Sequence, residues 1–217
     1  MSLLQRLASR LRPAPVIDDA RWVVLDVESS GLDPRADRLL AIAAIAVRTD
    51  GARARIAPGD SFEVVLRQDV SVADKANILL HGIGVGAQRG GVEPAAALTA
   101  FERYIGASPL IAFHAAFDQT LILRACDAVL GHRPRNPWLD LEPLAAVLHP
   151  QVKGRSLDDW MAHMHITCAV RHQAAADTLA TADLLLKLWP AALRELGGRV
   201  SFAAAHKLAA QRKWLAH

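Results

Sequence analysis

The stretch Trp22-Val23-Val24-Leu25-Asp26-Val27-Glu28-Ser29-Ser30-Gly31-Leu32 begins with four apolar residues, runs into an acidic pair and stops at turn-forming residues. Its β-branched, apolar start predicts a first strand over 22–27, closed by Ser29, Ser30, Gly31 and Asp33-Pro34. Residues two apart in a strand share a face, so Asp26 and Glu28 project together at its C-terminal end. The residues before them are apolar on both faces, the mark of a buried strand, and like charges buried there are costly unless cations are supplied.

Working outward, 39–47 and 61–66 predict the next two strands. Thr49-Asp50-Gly51 and Pro58-Gly59-Asp60 act as turns and make an antiparallel meander. Helical periodicity follows over 71–80 and 93–105, then a short strand at 110–113 and a long helix over 115–130 ended by Gly131. A last strand is expected at 138–141. Further helices are expected at 142–148, at 156–164 with Ser156 and Asp159 spaced as a capping box, at 174–188 and at 202–214. The expected class is α/β, a mixed five-stranded sheet flanked by helices. Residues 1–19 read as an N-terminal amphipathic extension with Leu3, Leu4, Leu7 and Leu11 on one face. Residues 20–190 form the main domain and 191–217 a basic C-terminal helix or tail.

With 217 residues, 52% of them hydrophobic and 22% charged, the chain can bury a full core and is not of the disordered class. Its longest apolar run, 39–47, is nine residues, far short of the ~20 a membrane-spanning helix needs. Cys126 and Cys168, its two cysteines, exclude a disulfide scaffold and a zinc knuckle, and a reducing cytoplasm is the expected compartment. The first 15 residues carry three arginines and no acid, and 194–217 carry five bases against Glu195, so the middle of the chain is net acidic. A basic periphery around an acidic centre suits a metal-dependent enzyme acting on a polyanion.

Two further acids have inward-looking positions. Asp118 lies on the apolar side of the 115–130 helix with residues 121, 122, 125 and 129, and Asp177 shares a face with Thr181 and Leu184. His172 stands five residues before Asp177. Four inward carboxylates can bind two divalent cations, one activating a water and the other stabilising the leaving oxygen of a phosphodiester. His172 is the candidate general base, and oxygen-only ligation favours Mg²⁺ or Mn²⁺.

These residues resemble the DEDDh 3′-to-5′ exonucleases, the family of the proofreading subunit of bacterial DNA polymerase III. Asp26-Val-Glu28-Ser-Ser-Gly-Leu resembles the first motif, Ile111-Ala-Phe-His-Ala-Ala-Phe117-Asp118 the second and His172-Gln-Ala-Ala-Ala-Asp177 the third. Leu80-His81-Gly82-Ile83 resembles the family's loop at the substrate 3′ end, and Ser156-Leu157-Asp158-Asp159 precedes the last motif as it does there. The resemblance covers about 20–190 and implies a ribonuclease-H-like fold. It implies metal binding by Asp26, Glu28, Asp118 and Asp177, with His172 as base and substrate contacts from Ser29, Ser30, Leu32, His81, Phe113, His114 and Phe117. The sister class has tyrosine where Gln173 stands, and the single tyrosine here is Tyr104. The second motif usually reads His-Asn where this chain has Phe113-His114, and serines replace the usual two threonines of the first.

The expected activity is release of nucleoside 5′-monophosphates from the 3′ end of single-stranded or frayed DNA. The expected partners are nucleic acid 3′ ends and a polymerase or repair protein. A silenced 3′-end binding module and an RNA-directed exonuclease are the alternatives. Asp33, Asp37, Asp158 and Asp159 read as cap or turn residues, Cys126 as core, His163 and His165 as surface, and the five tryptophans as packing anchors.

Overall fold

The computed structural model describes residues 16–69, 78–79 and 82–214. The expected N-terminal amphipathic helix, most of the helix expected over 71–80, and His81 lie outside the described residues.

Five strands form one sheet in the order β3-β2-β1-β4-β5: β1 (Arg21–Ser29), β2 (Leu39–Thr49), β3 (Ala54–Val65), β4 (Leu110–Ala112) and β5 (Trp138–Asp140). The first three make the antiparallel meander, while β4 joins β1 and β5 joins β4 in parallel. The helices are α1 (Val85–Gly90), α2 (Pro94–Ile105), α3 (Ala116–Leu130), α4 (Leu141–Leu148), α5 (Leu157–Met164), α6 (Ala174–Glu195) and α7 (Phe202–Ala209). A 3-10 turn at Ala210–Trp214 follows. This is the mixed, helix-flanked five-stranded sheet that the strand pattern predicted, and it has the ribonuclease-H-like arrangement.

β1 is central, and its alternation assigns the two faces. Trp22 and Val24 enter one apolar layer with α4, α5, α6 and α7, and Val23, Leu25 and Val27 enter the other with α2 and α3. Asp26 and Glu28 continue the Trp22 and Val24 series. The acidic pair therefore points to the α6 side of the sheet, where apolar residues would otherwise continue.

β3 is longer than expected because the Pro58-Gly59-Asp60 segment is a bulge within the strand and not a turn before it. The pairing jumps from Ile45 opposite Ser61 to Ala46 opposite Ala57. The Asp60 carboxylate pins the bulge, accepting from Arg21 Nη2 at 2.7 Å and Arg48 Nη2 at 2.7 Å, while its carbonyl accepts from the Tyr104 hydroxyl at 2.8 Å.

α6 also outruns its expected end at 188 and continues through Pro190 to Glu195. A domain boundary after residue 190 would fall inside this helix. Its last turns, with Trp189, Ala191 and Ala192 buried, are held by the same apolar layer that α7 completes. Trp22 meets Trp189 and Phe202 edge-on at 5.3 and 5.8 Å. Asp19 Oδ1 accepts from Trp22 Nε1 at 3.1 Å and from the Phe202 backbone N–H at 2.8 Å, tying the start of α7 to the start of β1. The C-terminal segment through α7 is thus packed into the core, and no described helix is long and apolar enough to cross a membrane.

Candidate active site

Three elements deliver the acidic residues to one place. β1 carries half-buried Asp26 and Glu28 at its C-terminal end. α3 carries Asp118 in its first turn, 4% exposed, and α6 carries Asp177 in its first turn, 7% exposed. Helix N-termini favour carboxylates, which offsets part of the cost of burying these two. Thr178 Oγ1, one residue on, donates to the Ala43 carbonyl at 3.2 Å and fastens this end of α6 to β2.

The four acids lie in one another's field. Burial pushes the Asp26 carboxyl well above the usual carboxylate range, and Asp118, Glu28 and Asp177 push it further in the same direction. Burial, then Asp177, raises Glu28 to about 7 against an opposing hydrogen bond from the Ala174 backbone. Asp118 is raised by burial first and also by Asp140 and Glu28, while backbone hydrogen bonds, one of them at Val27, act against the shift. Such a set is anionic only where positive charge compensates it. Among the described residues no three His, Cys, Asp or Glu side chains stand grouped to hold a metal ion directly. Arg171 brings compensating charge among the described residues: its Nη1 donates to Asp177 Oδ1 and its Nε donates to Asp158 Oδ1 at 2.6 Å.

His172 is exposed on the loop before α6, in the left-handed conformation with φ 61°, and its backbone N–H donates to Asp177 Oδ2 at 3.1 Å. His114 is exposed and left-handed too, at φ 58°, and its ring lies 4.6 Å from that of half-buried Phe113. Non-glycine residues rarely adopt this conformation, and it clusters where loops are held for function. Phe117 is half-buried, one residue before Asp118, and packs on the α2–α3 layer.

The loop after β1 is internally bonded. Ser29 Oγ donates to the Gly31 carbonyl at 2.5 Å, and Ser30 Oγ donates to Asp37 Oδ1 at 3.0 Å and accepts from the Arg38 backbone N–H at 2.9 Å. A side chain at position 31 would run into Asp37, whose Oδ2 lies 2.5 Å from where a Cβ would stand. Leu32, at the loop's tip, is 89% exposed. Arg124 on α3 crosses to this loop and donates to the carbonyls of Pro34 (Nη1, 2.5 Å) and Asp37 (Nη2).

Asp26, Glu28, Asp118, Asp177 and the backbone of His172 are therefore brought together. Ser30 is turned into its own loop, and Ser29 donates within it. Sequence reasoning did not single out Arg171, Asp140 or Arg124, and it gave Asp158 only a turn or capping role. Arg171 and Asp140 carried a weak signal in their places, one residue before His172 and at the end of the last strand. Arg124 carried none.

Residues 23–185 match the family model described as Exonuclease. The chain is 30% identical over 178 residues to a DNA polymerase III subunit epsilon-like protein of Rhodobacter capsulatus, covering 81% of this chain and 24% of the relative. It is 30% identical over 167 residues to the PolC-type DNA polymerase III of Clostridium perfringens, covering 77% of this chain and 11% of that one. The chain thus spans a quarter or less of the length of these relatives. Among solved structures, the zinc-bound form of the Escherichia coli exonuclease I complex with single-stranded DNA superposes with a TM-score of 0.67 at 18% identity, covering 79% of this chain and 40% of that one. The family match over residues 23–185, most of the chain, places the protein in the exonuclease family.

Proposed function

We propose that the protein is a metal-dependent 3′-to-5′ exonuclease that hydrolyses the terminal phosphodiester of a single-stranded or frayed DNA end and releases nucleoside 5′-monophosphates. The observation that carries this reading is that Asp26, Glu28, Asp118 and Asp177, brought from one strand and two helix N-termini, lie close enough for their charges to act on one another. The donor set is all carboxylate oxygen, which suits a hard divalent cation, and burial leaves these groups short of positive charge. Asp26, Glu28, Asp118 and Asp177 would hold two Mg²⁺ or Mn²⁺ ions, which supply activation of the attacking water and stabilisation of the leaving oxygen.

The chain's own groups do the remaining work. His172 accepts the proton of the attacking water, and its exposed position on a loop tied to Asp177 suits it to that task. Phe113 offers apolar ring surface to the terminal nucleotide and exposed Leu32 an apolar edge to the next base, while Phe117, packed on the α2–α3 layer, holds the start of α3 beside the site. Ser29, Ser30, His81 and His114 complete the substrate contacts by their places in the matched motifs. The oligonucleotide in the exonuclease I structure and the polymerase relatives support a DNA substrate and a replication or repair setting, with a polymerase or repair protein as partner.

The test is a time course on 5′-labelled single-stranded DNA and RNA of equal sequence with Mg²⁺, Mn²⁺ or EDTA, beside Asp26→Ala. A metal-dependent ladder shortening from the 3′ end and absent in the variant is expected. Faster cleavage of RNA would reassign the substrate. End binding with no turnover in either metal would make the protein a silenced recognition module.

A further inference from the structure

Arg171 engages two carboxylates of unequal burial. Its Nε donates to Asp158 Oδ1 at 2.6 Å, and Nη1 donates to Asp177 Oδ1. The Asp158 side chain is 61% exposed and that of Asp177 is 9% exposed, so the guanidinium spans from the solvent edge to the floor of the acidic cluster. Its charge also favours the anionic forms of Asp26 and Glu28. Asp158 lies in the first turn of α5, next to Asp159, which closes the capping box with Ser156. The cap uses Asp159, and the Asp158 carboxylate is directed to Arg171 instead.

We infer that Asp158 and Arg171 form a built-in counter-ion that occupies the carboxylate cluster and exchanges with the divalent cation, the displaced guanidinium being retained by Asp158. The inference rests on the metal site proposed above. Four acids in one buried field repel one another, and a guanidinium keeps its proton at any working pH, so it leaves Asp177 by moving and not by titrating. A cation that takes Asp177 must first displace it. Asp158 lowers the cost of that displacement, because the guanidinium, which gives it only Nε while Nη1 is on Asp177, can turn its full fork to Asp158 once Asp177 is taken. Its exposure makes this bond weaker than the buried one, so Arg171 returns when the cation departs. Arg171 and Asp158 are on this reading positioning residues that set metal affinity.

The sign of the effect separates this role from a structural one. Mn²⁺ binding to the full chain is to be measured by isothermal titration calorimetry for wild type, Arg171→Gln, Asp158→Asn, the double variant and Asp26→Asn, with thermal melts in EDTA. Arg171→Gln is expected to melt lower in EDTA yet bind Mn²⁺ about tenfold tighter, since a fixed positive charge has left the cluster. Asp158→Asn is expected to bind several-fold more weakly and to have no effect in the Arg171→Gln background. Unchanged or weaker Mn²⁺ binding by Arg171→Gln overturns the inference, because a merely structural or phosphate-contacting arginine gives that result. Should Arg171→Gln not fold, unchanged or tighter binding by Asp158→Asn overturns it equally. Mn²⁺ binding by wild type that is lost in Asp26→Asn keeps the metal site standing whatever Arg171 does, and no Mn²⁺ binding by wild type would overturn both.

Discussion

Asp140, the last residue of β5, accepts the backbone N–H of His114 through Oδ1 at 3.0 Å and that of Glu142 through the same oxygen at 3.2 Å. One carboxylate thus caps α4 and holds the left-handed turn that leads from β4 into α3, and with it the approach to Asp118. It also adds to the negative field on Asp118.

Asp140→Ala is expected to cost about 1–2 kcal/mol, the usual loss of a helix cap with a second N–H left unpaired. It should also lower kcat/KM, because His114 loses the contact that holds its backbone. Asp140→Asn keeps an acceptor oxygen and should retain most of the stability. Urea unfolding alongside kcat/KM reads both, and equal stability of the alanine and asparagine variants would show that the double hydrogen bond does not matter.

Asp118→Asn should separate stability from activity. Burial and the neighbouring acids raise Asp118 to about 8, so above that pH the substitution removes a buried charge that those acids oppose, and the protein in EDTA at pH ~9 is expected to melt higher by a few degrees, the shift about 1 kcal/mol gives at this chain length. The same change removes a proposed metal-holding oxygen, and cleavage should fall by about a thousandfold or more. A lower melting temperature in EDTA would mean that the carboxylates are not in conflict.

Arg124 contributes through the loop it holds. Arg124→Ala deletes two charge-assisted bonds to the carbonyls of Pro34 and Asp37 and should cost about 1–3 kcal/mol. The loop also carries Leu32, so KM for an oligonucleotide should rise several-fold with kcat little changed. Loss confined to kcat would instead place Arg124 in the chemical step.

The bulge in β3 makes stability depend on acid pH. The Arg21 hydrogen bond first, and Arg48 with it, hold the Asp60 carboxyl down to about 2 against an ordinary value of 3.8. A carboxylate lowered in the folded state adds stability above its unfolded pKa and loses it as the pH falls through the folded one. The stability advantage of wild type over Asp60→Asn should therefore be full above pH ~4 and vanish towards pH ~2. With the side chain about a quarter exposed, solvent screening limits it to about 1–2 kcal/mol. Denaturant melts of both proteins at several pH values would measure it, and a constant difference across this window would exclude the ion pair as its source.

How far each element was legible depended on the range of the interaction that forms it. The apolar, β-branched run from Trp22, the long helix ended by Gly131 and the capping box at Ser156 are local patterns, and each element formed where its residues indicated. The bulge at 58–60 was read as a turn, because Pro-Gly-Asp is turn-forming in isolation. Arg21 and Arg48, from two other strands, make it a bulge. The helix expected over 174–188 runs on through Pro190 to Glu195, although proline disfavours a helix interior, because the apolar layer around Trp189 and Phe202 carries it on.

The sequence by itself determined which acids look inward, since strand and helix periodicity place Asp26, Glu28, Asp118 and Asp177 on buried faces whatever lies opposite. Only the tertiary structure decided what meets them. Arg171, Asp158, Asp140 and Arg124 act on residues that other segments bring within reach, and the energy of a charge in a site depends on distance and burial, neither of which is written along the chain.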